Sequence, residues 1–169
     1  LTENKAKKGE PEALIRTYRP EDRPGVIAML QSVYDEHRYI MDFEEFDRDL
    51  VDISSYYRDS GGEFWILEID GTVAGTAAAR PDDYETCELR RLYLLKSCRG
   101  KGYGRALLET MIDWSRANGF RRIFLWSDVL FERAYGVYAA SGFKPTETTR
   151  TVDPTNPTSV ERYFIKTLD

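Results

Sequence analysis

Apolar positions along the chain follow two spacings, and each change of spacing marks an element. Residues 13–18 read as a short first strand. Beyond Pro20, Val26, Leu30 and Val33 recur at helical spacing, flanked by Ile27 and Tyr34. Asp22 as cap and Pro24 in the first turn predict a helix that runs to about His37. Phe43, Phe46, Leu50, Ile53 and Tyr57 also step by three and four, with acidic and basic residues between them. A second helix is therefore expected, ended by Gly61 and Gly62. Residues 64–69 and 72–79 form two strands around Asp70-Gly71, a strong hairpin signal. Gly75, Ala77, Ala78 and Ala79 keep the second of these slim, so something packs closely on it.

Residues 87–96 read as the next strand, with Leu92, Tyr93, Leu94 and Leu95 as its apolar core and Glu88, Arg90 and Arg91 as polar positions. Leu108, Met111, Ile112 and Ser115 give a long helix over 105–118, closed by Asn118-Gly119. A buried-looking strand over 121–127, a helix over about 131–141 and two closing strands over 143–150 and 160–168 follow. Residues 153–159, with two prolines, form a loop between the last two. The order βααβββαβαββ predicts an α+β fold: a mixed, largely antiparallel twisted sheet of about seven strands with helices on both faces. Residues 1–12 are polar and lysine-rich and read as a flexible leader; residues 13–169 read as a single domain.

Between the fourth strand and the long helix lies Arg99-Gly100-Lys101-Gly102-Tyr103-Gly104. Three glycines in five residues remove Cβ atoms and open backbone conformations closed to other residues. The first-turn N–H groups of the following helix have no internal partners, and together with the helix dipole they form an anion site suited to phosphate. A P-loop would need Gly-Lys-Ser/Thr here, but Gly104 is followed by Arg105 and Ala106. A dinucleotide fingerprint would need a different glycine spacing near the start of a βαβ unit.

The remaining pattern is Arg-x-x-Gly-x-Gly after a strand that carries a glutamate. In this the sequence resembles the GNAT superfamily of acetyl-CoA-dependent N-acyltransferases. Arg99, Gly102 and Gly104 match that family's pyrophosphate loop, and Tyr138-Ala-Ala-Ser-Gly142-Phe143 matches its Tyr-x-x-x-Gly-Phe segment. The resemblance runs from roughly Leu14 to Leu168 in the right element order. It implies a GNAT fold with acetyl-CoA as co-substrate, its phosphates on Arg99, Gly100, Lys101, Gly102, Tyr103, Gly104 and Arg105. It also implies main-chain contacts from Leu92, Tyr93 and Leu94 to the pantetheine amides. One departure stands out: Phe131 occupies a position where many members carry an asparagine that contacts the cofactor.

Acetyl transfer to an amine requires that the amine lose a proton and the departing thiolate gain one. Alkylammonium groups are almost fully charged at neutral pH, so a carboxylate near the acceptor can take the proton, directly or through water. Glu88 is the expected base, since the resemblance places its strand beside the cofactor. The plainer reading is a surface glutamate paired with Arg90 or Arg121. Tyr138 is the expected acid, against the alternative of a tyrosine that only packs on the sheet. Cys98, beside the turn, reads as incidental. Tyr34, Asp35, Glu36, Tyr39, Asp42, Glu44, Glu45, Tyr56 and Tyr57 would suit a cationic amine if they line the acceptor groove; the rival reading is a solvated acidic face.

Composition narrows the class. A net charge of −5 argues against a nucleic-acid surface, and no apolar run is long enough to cross a membrane. Two cysteines make no disulfide framework and one histidine leaves no metal constellation, so a cytoplasmic protein without a metal is expected. The reading is an N-acetyltransferase acting by direct transfer on a primary amine of a small molecule. A protein N-terminal or lysine acetyltransferase and a non-catalytic acyl-CoA-binding module remain as alternatives. A homodimer stays open.

Overall fold

The Asp70-Gly71 turn shows how closely local chemistry sets the frame. Both residues have positive φ, 49° and 76°, the mirror-image turn whose twist matches that of its strands. It joins β2 (Glu63–Ile69) to β3 (Thr72–Pro81). In the computed structural model, which describes residues 12–152 and 159–168, this hairpin belongs to one seven-stranded sheet. The other strands are β1 (Ala13–Thr17), β4 (Thr86–Leu94), β5 (Arg122–Asp128), β6 (Lys144–Thr151) and β7 (Val160–Thr167). Their order is β1-β2-β3-β4-β5-β7-β6, antiparallel throughout except for the β4–β5 pair. The expected leader, save Glu12, and loop residues 153–158 lie outside the described residues.

Helix α1 (Arg23–His37) covers one face, burying Val26, Met29, Leu30 and Val33 against Phe64, Ile66 and Ala78. Helices α2 (Tyr103–Ala117) and α3 (Glu132–Ala140) cover the other, with Leu107, Leu108, Met111 and Tyr138 against Trp65, Leu67, Leu125 and Phe164. The slim strand β3 is explained by α2. A Cβ on Gly75 would meet the Leu94 side chain at 2.5 Å and that of Leu107 at 3.2 Å.

The expected second helix is a correction. Residues 43–57 form only a turn of 3-10 helix at Arg48–Leu50 and a π-helical turn at Ser54–Arg58. Phe43 and Phe46, two of its supposed core positions, are exposed, whereas Asp47 and Asp49, on its supposed outer face, are buried. A long-range ion pair overrides the helical spacing. Arg91 of β4 donates to Asp47 (2.9 Å) and to Asp49 (2.8 Å from Nε), and the Tyr34 and Tyr57 hydroxyls donate to the same two carboxylates. A continuous helix would turn those carboxylates away from Arg91 and leave its buried guanidinium unpaired, which costs several kcal/mol.

Candidate active site

The site begins where two strands part. β4 and β5 pair in parallel only over Thr86–Arg122, Cys87–Ile123 and Glu88–Phe124. Beyond Glu88 the ladder ends, and the edge of β4 that faces β5 is left without a strand partner. A bulge in β4 begins there. Arg91 has φ of 53°, and the pairing of β4 with β3 jumps from Ala78–Arg90 to Thr76–Tyr93. One extra residue shifts the alternation. Arg90 and Arg91 consequently both lie on the α1 face, while Leu92 and Leu94 pack with the α2 cluster and Tyr93 with the α1 cluster. The Thr76 hydroxyl donates to the Arg91 carbonyl at 2.7 Å and satisfies the displaced backbone.

Between the separated strands lies a cleft of about 1540 Å³, larger than the ordinary range for one small ligand. Glu88, Leu92, Tyr93, Leu94, Arg99, Gly100, Gly102, Gly104, Arg105 and Tyr138 all line it. Lys101 and Tyr103 do not. Lys101 is exposed on the turn, and Tyr103 packs against the core under α2.

The glycine turn has the form a phosphate cradle needs. Gly100 and Gly102 have φ of 74° and 86°, and a Cβ on either would meet nothing within 4 Å. Gly102 is the N-cap of α2, and no side chain caps that helix. Its free first-turn N–H groups and open approach suit a diphosphate. The neighbouring cations are more committed than their spacing suggests. The Arg99 guanidinium donates to both Glu36 carboxylate oxygens, at 2.8 and 3.0 Å, and to the Leu94 carbonyl at 2.9 Å. Arg105 pairs with Glu109 one turn along α2. Arg99 therefore ties the turn to α1 and occupies a carbonyl expected to meet pantetheine.

Glu88 stands at the last paired position before the gap, largely buried, and accepts from Arg90 at 3.3 Å. The pairing with Arg121 does not form; Arg121 lies near Glu85 instead. Tyr138 is buried and presents its side chain to the same cleft from α3. Burial pushes its phenol far above the usual range, with Ser127 pulling partly the other way. The hydroxyl thus keeps its proton through neutral pH.

Phe131 does not reproduce a polar cofactor contact. It caps α3, its ring edge-on to His37 at 4.7 Å and to Tyr39 at 6.4 Å. The Tyr39 hydroxyl donates to Asp128 at 2.7 Å. These contacts join the end of α1 to the end of β5 across the gap. The acidic-aromatic acceptor groove is mostly used for structure: Tyr34 and Tyr57 bond the buried aspartates, Glu36 holds Arg99, and Asp42 caps the backbone of Glu44 and Glu45. Cys98 is buried, and Cys87, buried beside Ser115, has its thiol pushed up to about 11. Sequence reasoning missed Arg91, Asp47, Asp49, Asp128 and the role of Phe131. A signal for the bulge was present in Glu-Leu-Arg-Arg-Leu-Tyr-Leu, where the polar-apolar alternation breaks phase at the paired arginines.

A parallel pair that splays beside a bulge and a glycine turn that leaves a helix N-terminus open form a cleft suited to a ligand carrying phosphate and an extended amide chain. The chain belongs to the acetyltransferase (GNAT) family, whose model matches residues 27–143. Acetyl-CoA is that family's acyl donor. The chain is 26% identical over 136 residues to the uncharacterized N-acetyltransferase YjgM of Escherichia coli, covering 78% of this chain and 81% of that one. It is 34% identical over 104 residues to human N-acetyltransferase 8B, spanning 58% of this chain but only 46% of the relative. Among solved structures, an acetyltransferase from Streptococcus agalactiae superposes with a TM-score of 0.79 at 26% identity, covering 92% of this chain and 98% of that one. The fold is shared at 19% identity with yncA of Salmonella typhimurium, solved with acetyl-CoA (TM-score 0.75, 94% and 95% covered). Among the described residues, no helix is long and apolar enough to cross a membrane.

Proposed function

We propose that this protein transfers the acetyl group of acetyl-CoA directly to a primary amine of a small molecule, with residues 13–169 acting as one catalytic domain. The observation that carries the reading is that Glu88 and Tyr138, from β4 and α3, line one cleft at the point where β4 and β5 separate. The thioester supplies an activated acyl group; the chain supplies binding and proton handling. The α2 N-terminus and Gly100–Gly104 hold phosphate, and the unpaired edge of β4 at Leu92 and Tyr93 offers main-chain groups to an extended amide chain. Glu88 draws the cationic amine and takes its proton, directly or through water. The Tyr138 hydroxyl donates to the departing sulfur.

A small acceptor is favoured by the bridge of Tyr39 to Asp128 and of His37 to Phe131, which closes part of the cleft against a folded protein chain. The test is free-thiol release from acetyl-CoA with a panel of small amines and of peptides bearing free N-termini and lysines. The expected result is turnover with small amines. Turnover confined to peptides would overturn the choice of acceptor. Tight acetyl-CoA binding with no transfer to any amine would overturn the enzyme reading in favour of a binding module.

A further inference from the structure

Two guanidinium groups, Arg80 across the strand pair and Arg90 along β4, flank Glu88. Glu88 lies on the α1 face of the sheet beside Phe124, and its cross-strand neighbour on β3 is Arg80. Arg90, two residues along β4 on the same face, lines the cleft. Both guanidiniums lie over the Tyr56 ring, Arg80 at 4.5 Å and Arg90 at 5.9 Å from its centroid, and Arg80 donates to the Tyr56 hydroxyl at 3.1 Å. The one carboxylate paired with either is Glu88, held by Arg90 through a single long bond of 3.3 Å; Arg80 pairs with no carboxylate among the described residues. The Arg80 Nε is buried with no hydrogen-bond partner. A buried guanidinium donor without an acceptor is costly unless something completes it.

We propose that the acceptor amine carries a carboxylate, as in a free amino acid, with Arg90 reading that carboxylate and Arg80 reinforcing the field behind it. The inference rests on the N-acetyltransferase reading given above. Arg90 and Glu88 sit side by side with opposite charge, which matches an ammonium and a carboxylate on one carbon. Planar guanidinium groups are suited to carboxylates because two N–H donors match two oxygens. On binding, Arg90 exchanges its long hydrogen bond with Glu88 for the substrate carboxylate and releases Glu88 toward the ammonium. One ammonium proton goes to Glu88; the C–N bond then forms as the C–S bond breaks, the Tyr138 proton goes to the thiolate, which leaves as free thiol, and the second proton lost by the nitrogen as it becomes an amide restores the Tyr138 hydroxyl through water.

The test compares each common amino acid with its decarboxylated amine and its carboxamide, at fixed acetyl-CoA, by thiol release. The expected result is at least one amino acid favoured over its decarboxylated partner by roughly 10²-fold in kcat/KM, the scale of a charged hydrogen-bonded pair. In Arg90→Gln that ratio should fall to near one, and Arg90→Lys should restore part of it. Acetyl-CoA affinity, measured by calorimetry, should stay constant in both variants and serves as the check on folding. Equal turnover of amino acid and decarboxylated amine overturns this proposal and leaves amine acetylation standing. An equal fall for both acceptors in Arg90→Gln also overturns it, since Arg90 would then hold only Glu88. Absence of transfer to every acceptor, with acetyl-CoA bound, overturns the amine-acetylation reading and this proposal with it.

Discussion

The two residues proposed to move protons, Tyr138 and Glu88, can be told apart by pH. Tyr138 is enclosed by Phe143 and Phe164 at 6.1 and 5.5 Å, and burial keeps its phenol protonated well past neutrality. A raised folded pKa means that the protonated form persists to higher pH. The pH profile of kcat should therefore show no loss from Tyr138 ionisation below about pH 10, its unperturbed value. Tyr138→Phe should lower kcat by roughly 10²-fold with acetyl-CoA Kd nearly unchanged. A large loss of affinity instead would make the hydroxyl a binding group. Glu88→Gln should depress kcat/KM most near neutral pH, and the defect should shrink as pH approaches the acceptor's own pKa, where free amine needs no base. A defect independent of pH would point to positioning.

At the scale of the element, the glycine turn and the bulged strand carry the site. Gly102→Glu would force a side chain into a left-handed backbone at φ of 86° and set a negative charge where phosphate is proposed to bind. It should abolish acetyl-CoA binding by calorimetry in a protein whose circular dichroism is retained. The strands, α1, α2, α3 and the turn were legible from sequence because their signals are local: helical spacing, an Asp-Gly hairpin, glycines before a helix. The segment of residues 43–57 was not, because its conformation answers to Arg91, more than forty positions away in sequence. Periodicity cannot register a partner on another strand. The same holds within the site. That Glu88 and Tyr138 line one cleft could be expected from motif positions, but the diversion of Arg99 to Glu36 and the Arg80-Tyr56-Arg90 stack depend on which residues the sheet sets side by side.

For the whole molecule, the buried ion cluster of Arg91 with Asp47 and Asp49 fastens the segment after α1 to β4. Burial pushes the Asp49 carboxyl up, but the Arg91 hydrogen bonds and charge and the Tyr57 hydroxyl outweigh it, and the net shift is downward. A depressed folded pKa contributes stability above the unfolded value of about 3.9 and loses it as pH falls through the folded one. Asp49→Asn should therefore destabilise the protein at neutral pH and flatten its loss of stability on acidification below about pH 4, as measured by urea denaturation. Arg91→Leu should cost about 3–5 kcal/mol, since it strands two buried carboxylates. A cost near zero would mean that the cluster serves conformation without contributing to stability. The sheet halves β1–β4 and β5–β7 share only three paired positions. Helix packing and the bridge over the gap therefore carry much of the remaining connection between them.

That bridge also makes the molecule its own spectroscope. The sequence has one histidine, and it is His37, edge-on to Phe131 at 4.7 Å and stacked near Tyr39 at 5.8 Å. Its imidazole Hε1 proton therefore gives a single line downfield of the other ring protons in deuterated water, and its Hδ2 proton one more, both displaced by the ring currents of two aromatic neighbours. Any widening of the cleft that parts α1 from α3 moves Phe131 away and returns those lines toward their free positions. A titration with acetyl-CoA, followed on these two lines, would report the opening without labels or mutations. Line broadening would give its rate, and an unmoved pair would mean that ligand enters without disturbing the bridge.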